Sequence, residues 1–311
     1  MLYVTTRSKT DSYTDYRTLF DNRAPDGGYF LPFRMPMLTQ NQLMDLRTQT
    51  FGQNVSFILN LFFSGRITSW DVDCCIGKRP ADVFSVNHRV LLARLWDNPS
   101  GQYRYLCDRL FEILCAEKNN MPTEWAYIVI RIAVLFGIYG ILSDQQIETF
   151  DICVPCGDFS DPMAAFYARD MGLPIGNIIC VCNDDSPVWD FLHRGELDTG
   201  EISKQNKHAP LGLERLIYAT LGYEQTQKYL EKTAQEDVYH ILPEQLTVLN
   251  KGIFVCVVGE ERASSVQAAF KGSHHHKIDA CTAAAYGGLQ DYRFKFGESN
   301  FTLLLWDFAP N

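Results

Sequence analysis

The sequence is short of positive charge. Its 311 residues carry 28 Lys and Arg against 37 Asp and Glu, a formal net charge of −9, which removes the electrostatic footprint that nucleic-acid binding requires. It lacks a run of about eighteen uninterrupted apolar residues, the length a membrane helix needs. The most apolar windows are 126–142, broken by Arg131, and 57–63. The first residues, MLYVTTRSKTDSYTDY, lack the apolar core of a secretion signal. A chain without membrane contact, in the cytoplasm, is expected. There is no Gly-x-Ser-x-Gly elbow for a serine nucleophile, no glycine-rich phosphate cradle, no internal repeat and no low-complexity linker. Composition is otherwise ordinary, 46% hydrophobic and 21% charged, which excludes disordered and fibrous classes.

Cysteine is plentiful, with ten residues. In a chain of this length with no secretory signal, they read as buried thiols rather than a disulfide framework. Cys153, Cys156, Cys180 and Cys182 invite a test for zinc. In a strand, however, residues three apart face opposite sides, so no metal site is expected.

The clearest fold signal lies at 150–182. FDICVP (150–155) reads as a strand, GDFSDP as a turn, 162–171 as a helix with Pro162 in its first turn, and NIICVC (177–182) as a second strand. Such a strand–helix–strand run implies a parallel crossover. Further strands are expected at 2–7, 251–260 and 301–308. Helices are expected at 14–23, 38–63 with Thr39 as a cap, 103–118, 124–141, 186–193, 209–221, 224–234, 264–269 and 279–289. Residues 85–97 suit either a core strand or a buried helical face. The economical fold is α/β, one mostly parallel sheet flanked by helices.

Several segments in order resemble the threonine synthase family, whose members hold pyridoxal phosphate in the tryptophan-synthase-β type of fold. They are Tyr3 to Arg7 (YVTTR), Ala24 to Pro32 (APDGGYFLP), Val154 to Asp161 (VPCGDFSD) and Ala164 to Ile175 (AAFYARDMGLPI). Asn183 to Ser186 (NDDS), Leu197 to Gly200 (LDTG) and Leu213 to Leu216 (LERL) follow. The resemblance implies a reduced version of that fold. Residues 1–95 would form an N-terminal region of strand, turn and helices. Residues 96–311 would form a large α/β domain whose small cofactor-closing domain is largely deleted, with helix 124–141 in its place.

The same resemblance implies that the cofactor chemistry is altered. The family's proline-led lysine signature falls on Pro99, Ser100, Gly101, Gln102, Tyr103 and Arg104, so Arg104 stands at the Schiff-base lysine position. A guanidinium stays charged at any accessible pH and cannot be the attacking amine. Lys118 and Lys78 are the nearest alternatives, neither with a supporting pattern. The asparagine loop reads Gly157, Asp158, Phe159, Ser160 and Asp161: a carboxylate replaces the amide at 158, and a side chain replaces a glycine at 160. Cys281 and Thr282 lie in a DACT segment resembling the family's Asp-Pro-His-Thr. These seven residues are the vestigial cofactor-site candidates.

Of the remaining features, His274-His275-His276 reads as an exposed loop, Tyr286-Gly287-Gly288 as a helix end, and Asp184-Asp185 as a cap or solvated turn. Cys156, just past a parallel strand, is a minor nucleophile candidate with His88 or His193. Two functional readings follow. In the first the chain is a catalytically inactive threonine synthase-like protein, a pseudoenzyme with no cofactor expected. It would act in binding, assembly or regulation as a homodimer or with another protein, with a small anionic ligand as an option. In the second it is a pyridoxal-phosphate-related enzyme, holding its cofactor non-covalently or performing altered chemistry.

Overall fold

The computed structural model describes residues 1–65, 67–76, 82–95, 102–115, 123–142, 147–200, 211–297 and 300–307; for 102–105, 115 and 211 it describes the backbone alone. The chain opens with a three-stranded antiparallel sheet, in which β1 (Leu2–Thr5) lies between β2 (Tyr13–Thr14) and β3 (Phe30–Pro32). Helix α1 (Asp15–Phe20) falls between the last two strands, and α2 (Gln40–Leu46), α3 (Phe51–Phe62) and α4 (Ser69–Ile76) follow. Thr39 and Thr50 each close a capping box with the glutamine three residues on, Gln42 and Gln53. That arrangement satisfies amide donors that a helix start otherwise leaves free.

Strands β4 (Asp82–Asn87) and β5 (Val90–Arg94) form a hairpin. Of the stretch 85–97, the described residues 85–95 form strand and turn rather than helix. Then come α5 (Gln102–Cys115), α6 (Glu124–Leu142), β6 (Phe150–Pro155), α7 (Ser160–Asp170), β7 (Ile175–Cys182) and α8 (Pro187–Arg194). Two short strands, β8 (Glu196–Asp198) and β9 (Val238–His240), pair antiparallel around α9 (Leu211–Leu221) and α10 (Tyr223–Gln235). The chain continues through α11 (Pro243–Leu249), β10 (Ile253–Val257), α12 (Glu260–His274), α13 (Ala280–Phe296) and β11 (Phe301–Trp306).

The central sheet has the order β10-β7-β6-β11-β5-β4. All its pairings are parallel except the β5–β4 hairpin at one edge. Helices cover both faces, as a parallel sheet requires. Leu91, Ile152, Cys180 and Leu303 pack toward α3, α6 and α7 on one side, while Leu92, Cys153, Ile179 and Leu304 pack toward α12 and α13 on the other. Strands β4 and β5, on the N-terminal side of the division expected at residue 95, lie inside this sheet.

Helix α6 is apolar on every side and buried along most of its length, the signature of a central core helix. It is the one helix, among the described residues, long and apolar enough to cross a membrane, and 83% of that span is covered by the rest of the fold.

Two local expectations are corrected, and a third, the exposed histidine loop, at His274 alone. The short helix at 264–269 is the middle of α12, which runs Glu260–His274, so His274 ends a helix and His275 takes a left-handed φ of 58° as its cap. His276 packs its ring 5.2 Å from Phe84. The Gly287-Gly288 pair lies inside α13 rather than ending it. A Cβ on Gly288 would stand 2.5 Å from Val181 Cγ2 and 2.8 Å from Cys256 Sγ. These glycines therefore let the helix lie directly on the sheet. The β8–β9 pair and α11 were not expected.

Candidate functional site

In an open parallel sheet, ligands bind outside the carboxyl ends of the strands. Here those ends lead into Cys156 and Gly157 after β6, Asn183 after β7, Val258 and Gly259 after β10, and Asp307 after β11. A crevice of about 520 Å³ opens there, between the strand ends and helices α12 and α13. Val181, Val258, Ala263 and Ala284 supply apolar wall, and Asn183, Ser264, Gln267 and Cys281 supply polar groups. Glu260 is the charged side chain among the described lining residues. A second cavity, about 540 Å³, runs along the outer edge of β10 between Trp189, His193, Tyr292 and Phe296. It lies away from the strand ends.

The loop after β6 is held tightly. Gly157 takes a φ of +48° and Phe159 one of +72°, the latter an unusual left-handed conformation for a bulky residue. Three hydrogen bonds fix it: Phe159 N–H to the Cys156 carbonyl (2.6 Å), Gly212 N–H to the Asp158 carbonyl (3.2 Å), and Ser160 N–H to Asp158 Oδ1 (3.0 Å). The Phe159 ring is fully buried in the core, so its side chain serves packing. The Ser160 hydroxyl is buried without a hydrogen-bond partner among the described residues.

Asp161 leaves the crevice for an ion pair. Arg131, buried in α6, donates from Nε to Asp161 Oδ1 at 2.8 Å and from its two terminal nitrogens to both Asp307 oxygens at 2.8 Å. On the far wall, Asp279 caps α13. Its Oδ1 accepts from Cys281 N–H (2.8 Å) and Thr282 N–H (3.1 Å), and its Oδ2 accepts from the Thr282 hydroxyl (2.5 Å). Burial pushes the Asp279 carboxyl upward against the pull of these bonds.

The structure thus brings Gly157 and Cys281 together at the crevice, with Thr282 behind the wall, and commits Phe159 and Asp161 elsewhere. Arg104 lies in the first turn of α5; its side chain, with Pro99, Ser100, Gly101, Lys78 and Lys118, falls outside the described residues. Cys153 faces the opposite side of the sheet from Cys156. His193 stacks on Trp189 at 4.1 Å beside the β10 cavity, while His88 sits in the β4–β5 turn. Asp184 sits in an exposed turn whose carboxylate crowds Gly259. Cys182 and Asn183 were named in the sequence but not placed at this site, and Ser264 and Gln267 were not singled out. The signal for the first two was available, since they end the second strand of a parallel crossover.

Residues 2–79 match the family described as threonine synthase N terminus. "Threonine synthase-like 1" of Mus musculus is 36% identical over 79 residues, 24% of this chain and 11% of that protein. "Threonine synthase-like 2" of Xenopus laevis is 29% identical over 180 residues, 53% of this chain and 38% of that protein. The chain therefore spans well under two thirds of these relatives. A pyridoxal-phosphate-bound threonine synthase from Brucella melitensis superposes with a TM-score of 0.83 at 15% identity, covering 100% of this chain and 89% of that one. Threonine synthase from yeast gives 0.84 at 14% identity, covering 99% and 87%. The chain is threonine synthase-like in sequence over its first quarter and in fold throughout. The expectation that no cofactor belongs here is corrected by this likeness, because one of the chains sharing the whole fold carries pyridoxal phosphate.

Proposed function

We propose that this chain is a threonine synthase-like protein that takes pyridoxal phosphate in the crevice at the carboxyl ends of β6, β7 and β10 without a lysine Schiff base. The observation carrying the reading is the crevice itself. Its volume of about 520 Å³ falls within the size of small-molecule sites, roughly 300–1,000 Å³, and apolar wall faces a polar rim. The residues fit the group in size and in hydrogen-bonding capacity. Val181, Val258, Ala263 and Ala284 would pack against a flat ring, and Asn183, Ser264 and the backbone at Gly157 would hold its polar substituents. No amine lines the crevice among the described residues, and Arg104 at the lysine position cannot supply one. When bound, the cofactor supplies an electron sink. Without lysine anchorage, the protein's part is binding and orientation, and any turnover takes a course other than the lysine-dependent one.

The test is an absorbance and fluorescence titration of the purified chain with pyridoxal phosphate, followed by borohydride and peptide mapping. Saturable binding, lost in Ala263→Trp and leaving no reduced lysine adduct, is the expected result. Absence of saturable binding at millimolar cofactor would sink the reading. A lysine fixed by borohydride would overturn the claim that Schiff-base attachment is gone.

A further inference from the structure

The central sheet has two unlike edges. Strand β4, at one end, opens with Asp82, which pairs with Arg94, and its register shifts at a bulge between Ser85 and Asn87. Charges and bulges are the devices that stop an edge from pairing with another chain. Strand β10, at the other end, has neither. Ile253–Val257 is apolar throughout, without proline, and pairs with β7 in unbroken register.

The ladder shows which side of β10 is free. The Val258 N–H donates to the Cys182 carbonyl and the Gly252 carbonyl accepts from the Ile178 N–H, each at 2.9 Å. Even-numbered residues therefore turn their backbone polar groups to β7, and Ile253, Val255 and Val257 turn theirs outward. The Ile253 N–H is taken up by the Asn250 carbonyl at 3.0 Å. The N–H groups of Val255 and Val257, and the carbonyls of all three residues, have no partner among the described residues. They open on the cavity of about 540 Å³ between α8 and α13. Phe254 packs 5.0 Å from both Tyr292 and Phe296 there, and the Phe296 ring is half exposed. Helix α13 adds two opposite charges to the lining, Asp291 and Lys295, four residues apart. Asp291 is bound to Arg262 at 2.5 Å, whereas Lys295 lies over the Phe296 ring and makes no ion pair among the described residues.

We propose that β10 is the interface of a homodimer, pairing antiparallel with β10 of a second copy about a two-fold axis at Val255. That register exchanges two hydrogen bonds between the Val255 residues and gives each Val257 N–H the partner's Ile253 carbonyl. Every free donor of the edge is then used. A two-fold interface must be complementary to itself, and this one is so in charge as well. The axis sets the two α13 helices antiparallel, bringing each Lys295 to the partner's Asp291. A foreign strand would satisfy the backbone groups equally well; it is the charges, each answering the other across the axis, that favour a second copy. The sheet becomes continuous through both copies, and the two crevices open at its opposite ends. None of this depends on what the crevice binds.

The test is sedimentation velocity of the full chain across micromolar concentrations, with thermal melts of each variant to check the fold. A concentration-dependent dimer is expected. Val255→Pro should abolish it, since proline removes the central donors and the ladder to β7 does not use that N–H. Lys295→Glu and Asp291→Lys, both at exposed positions, should each raise the dissociation constant by roughly tenfold, because each pair is lost twice across the axis. An equimolar mixture of these two variants should regain the parent affinity, an acidic face then meeting a basic one. A monomer at every concentration would overturn the proposal in favour of a strand from another protein. A dimer untouched by Val255→Pro and by both charge variants would mean that another surface joins the copies. A mixture no tighter than either variant alone would overturn the charge pairing, and with it the case for a second copy on this edge.

Discussion

The guanidinium of Arg131, in the middle of the most apolar helix of the chain, is paired with both carboxylate oxygens of Asp307 at 2.8 Å each. Arg131 is 3% exposed and comes from α6, whereas Asp307 follows the last strand. A buried bidentate pair contributes little net stability compared with apolar replacements, but breaking it leaves an uncompensated charge. The pair therefore acts as a register pin between α6 and β11, beside the first turn of α7, which bears Asp161.

Asp307→Asn is accordingly expected to destabilise the fold by about 3 kcal/mol. The partial exposure of Asp161, 34%, limits what that carboxylate alone can offset. Arg131→Met combined with Asp307→Asn should recover part of the loss, because the buried guanidinium is then gone and the one carboxylate left without it, Asp161, is partly exposed. Urea unfolding of the single and double variants decides the matter. Strictly additive losses would show that the two residues do not act as a pair.

The N-terminal sheet is pinned to α9 by Glu214. Its carboxylate accepts from Arg7 Nε at 3.1 Å and Nη2 at 2.9 Å, and from the Thr6 hydroxyl. Glu214→Gln removes the charge and turns one accepting oxygen into an NH2 that cannot accept from Arg7. A loss of about 2 kcal/mol is expected, within the range for hydrogen bonds to charged groups. Limited proteolysis should then cut first around residues 7–14. A cleavage pattern identical to that of the parent chain would argue that the N-terminal sheet is held by its apolar contacts alone.

This contact shows what was legible in the sequence and what was not. The YVTTR and LERL segments stood out as separate landmarks, yet their spacing of about 200 residues hid the fact that Arg7 and Thr6 of one grip Glu214 of the other. Local patterns served well where one period or one cap decides the structure: Thr39 caps its helix, and the strand–helix–strand run at 150–182 is the centre of the sheet. They served poorly where tertiary packing overrides local preference. Gly287-Gly288 looked like a helix end because glycine disfavours helix interiors, but the close approach to Val181 and Cys256 demands it. The segment at 157–161 stood out in the sequence. That Phe159 turns into the core and Asp161 toward Arg131, leaving Cys182 to face the crevice, depends on contacts no single segment contains.

The two kinds of helical glycine should respond oppositely to the same substitution. Gly288→Ala would place a methyl 2.5 Å from Val181 Cγ2, and overpacking of this sort costs about 1–3 kcal/mol. Val181 lines the crevice, so ligand affinity should fall as well. Gly272, inside α12, has nothing within 4 Å of a new Cβ. Gly272→Ala should stabilise the helix by roughly 0.5–1 kcal/mol. Thermal melts of both variants provide the check, and a shift of the same sign in both would contradict the packing argument.

Stability at high pH is set by buried phenols. Tyr29 accepts a hydrogen bond from Arg23 Nη2 at 2.6 Å, and the Arg215 guanidinium lies 4.9 Å from its ring centroid. Burial is the main influence on its hydroxyl and pushes it from 10 up to about 12, against the pull of Arg23. Burial pushes Tyr3, Tyr167 and Tyr229 upward too. A group that holds its proton more tightly when folded contributes stability fully below its unfolded value of 10 and loses it as pH rises through the folded one. The melting temperature should therefore begin to fall near pH 10 and continue downward past pH 12. In Tyr29→Phe the fall between pH 10 and about 12 should be shallower, while the loss due to the other buried phenols, which begins at the same pH and runs on above it, persists. Tyrosinate absorbance followed alongside the melts distinguishes titration from unfolding. An unchanged slope in Tyr29→Phe would mean that its phenol ionises alike in the folded and unfolded chain.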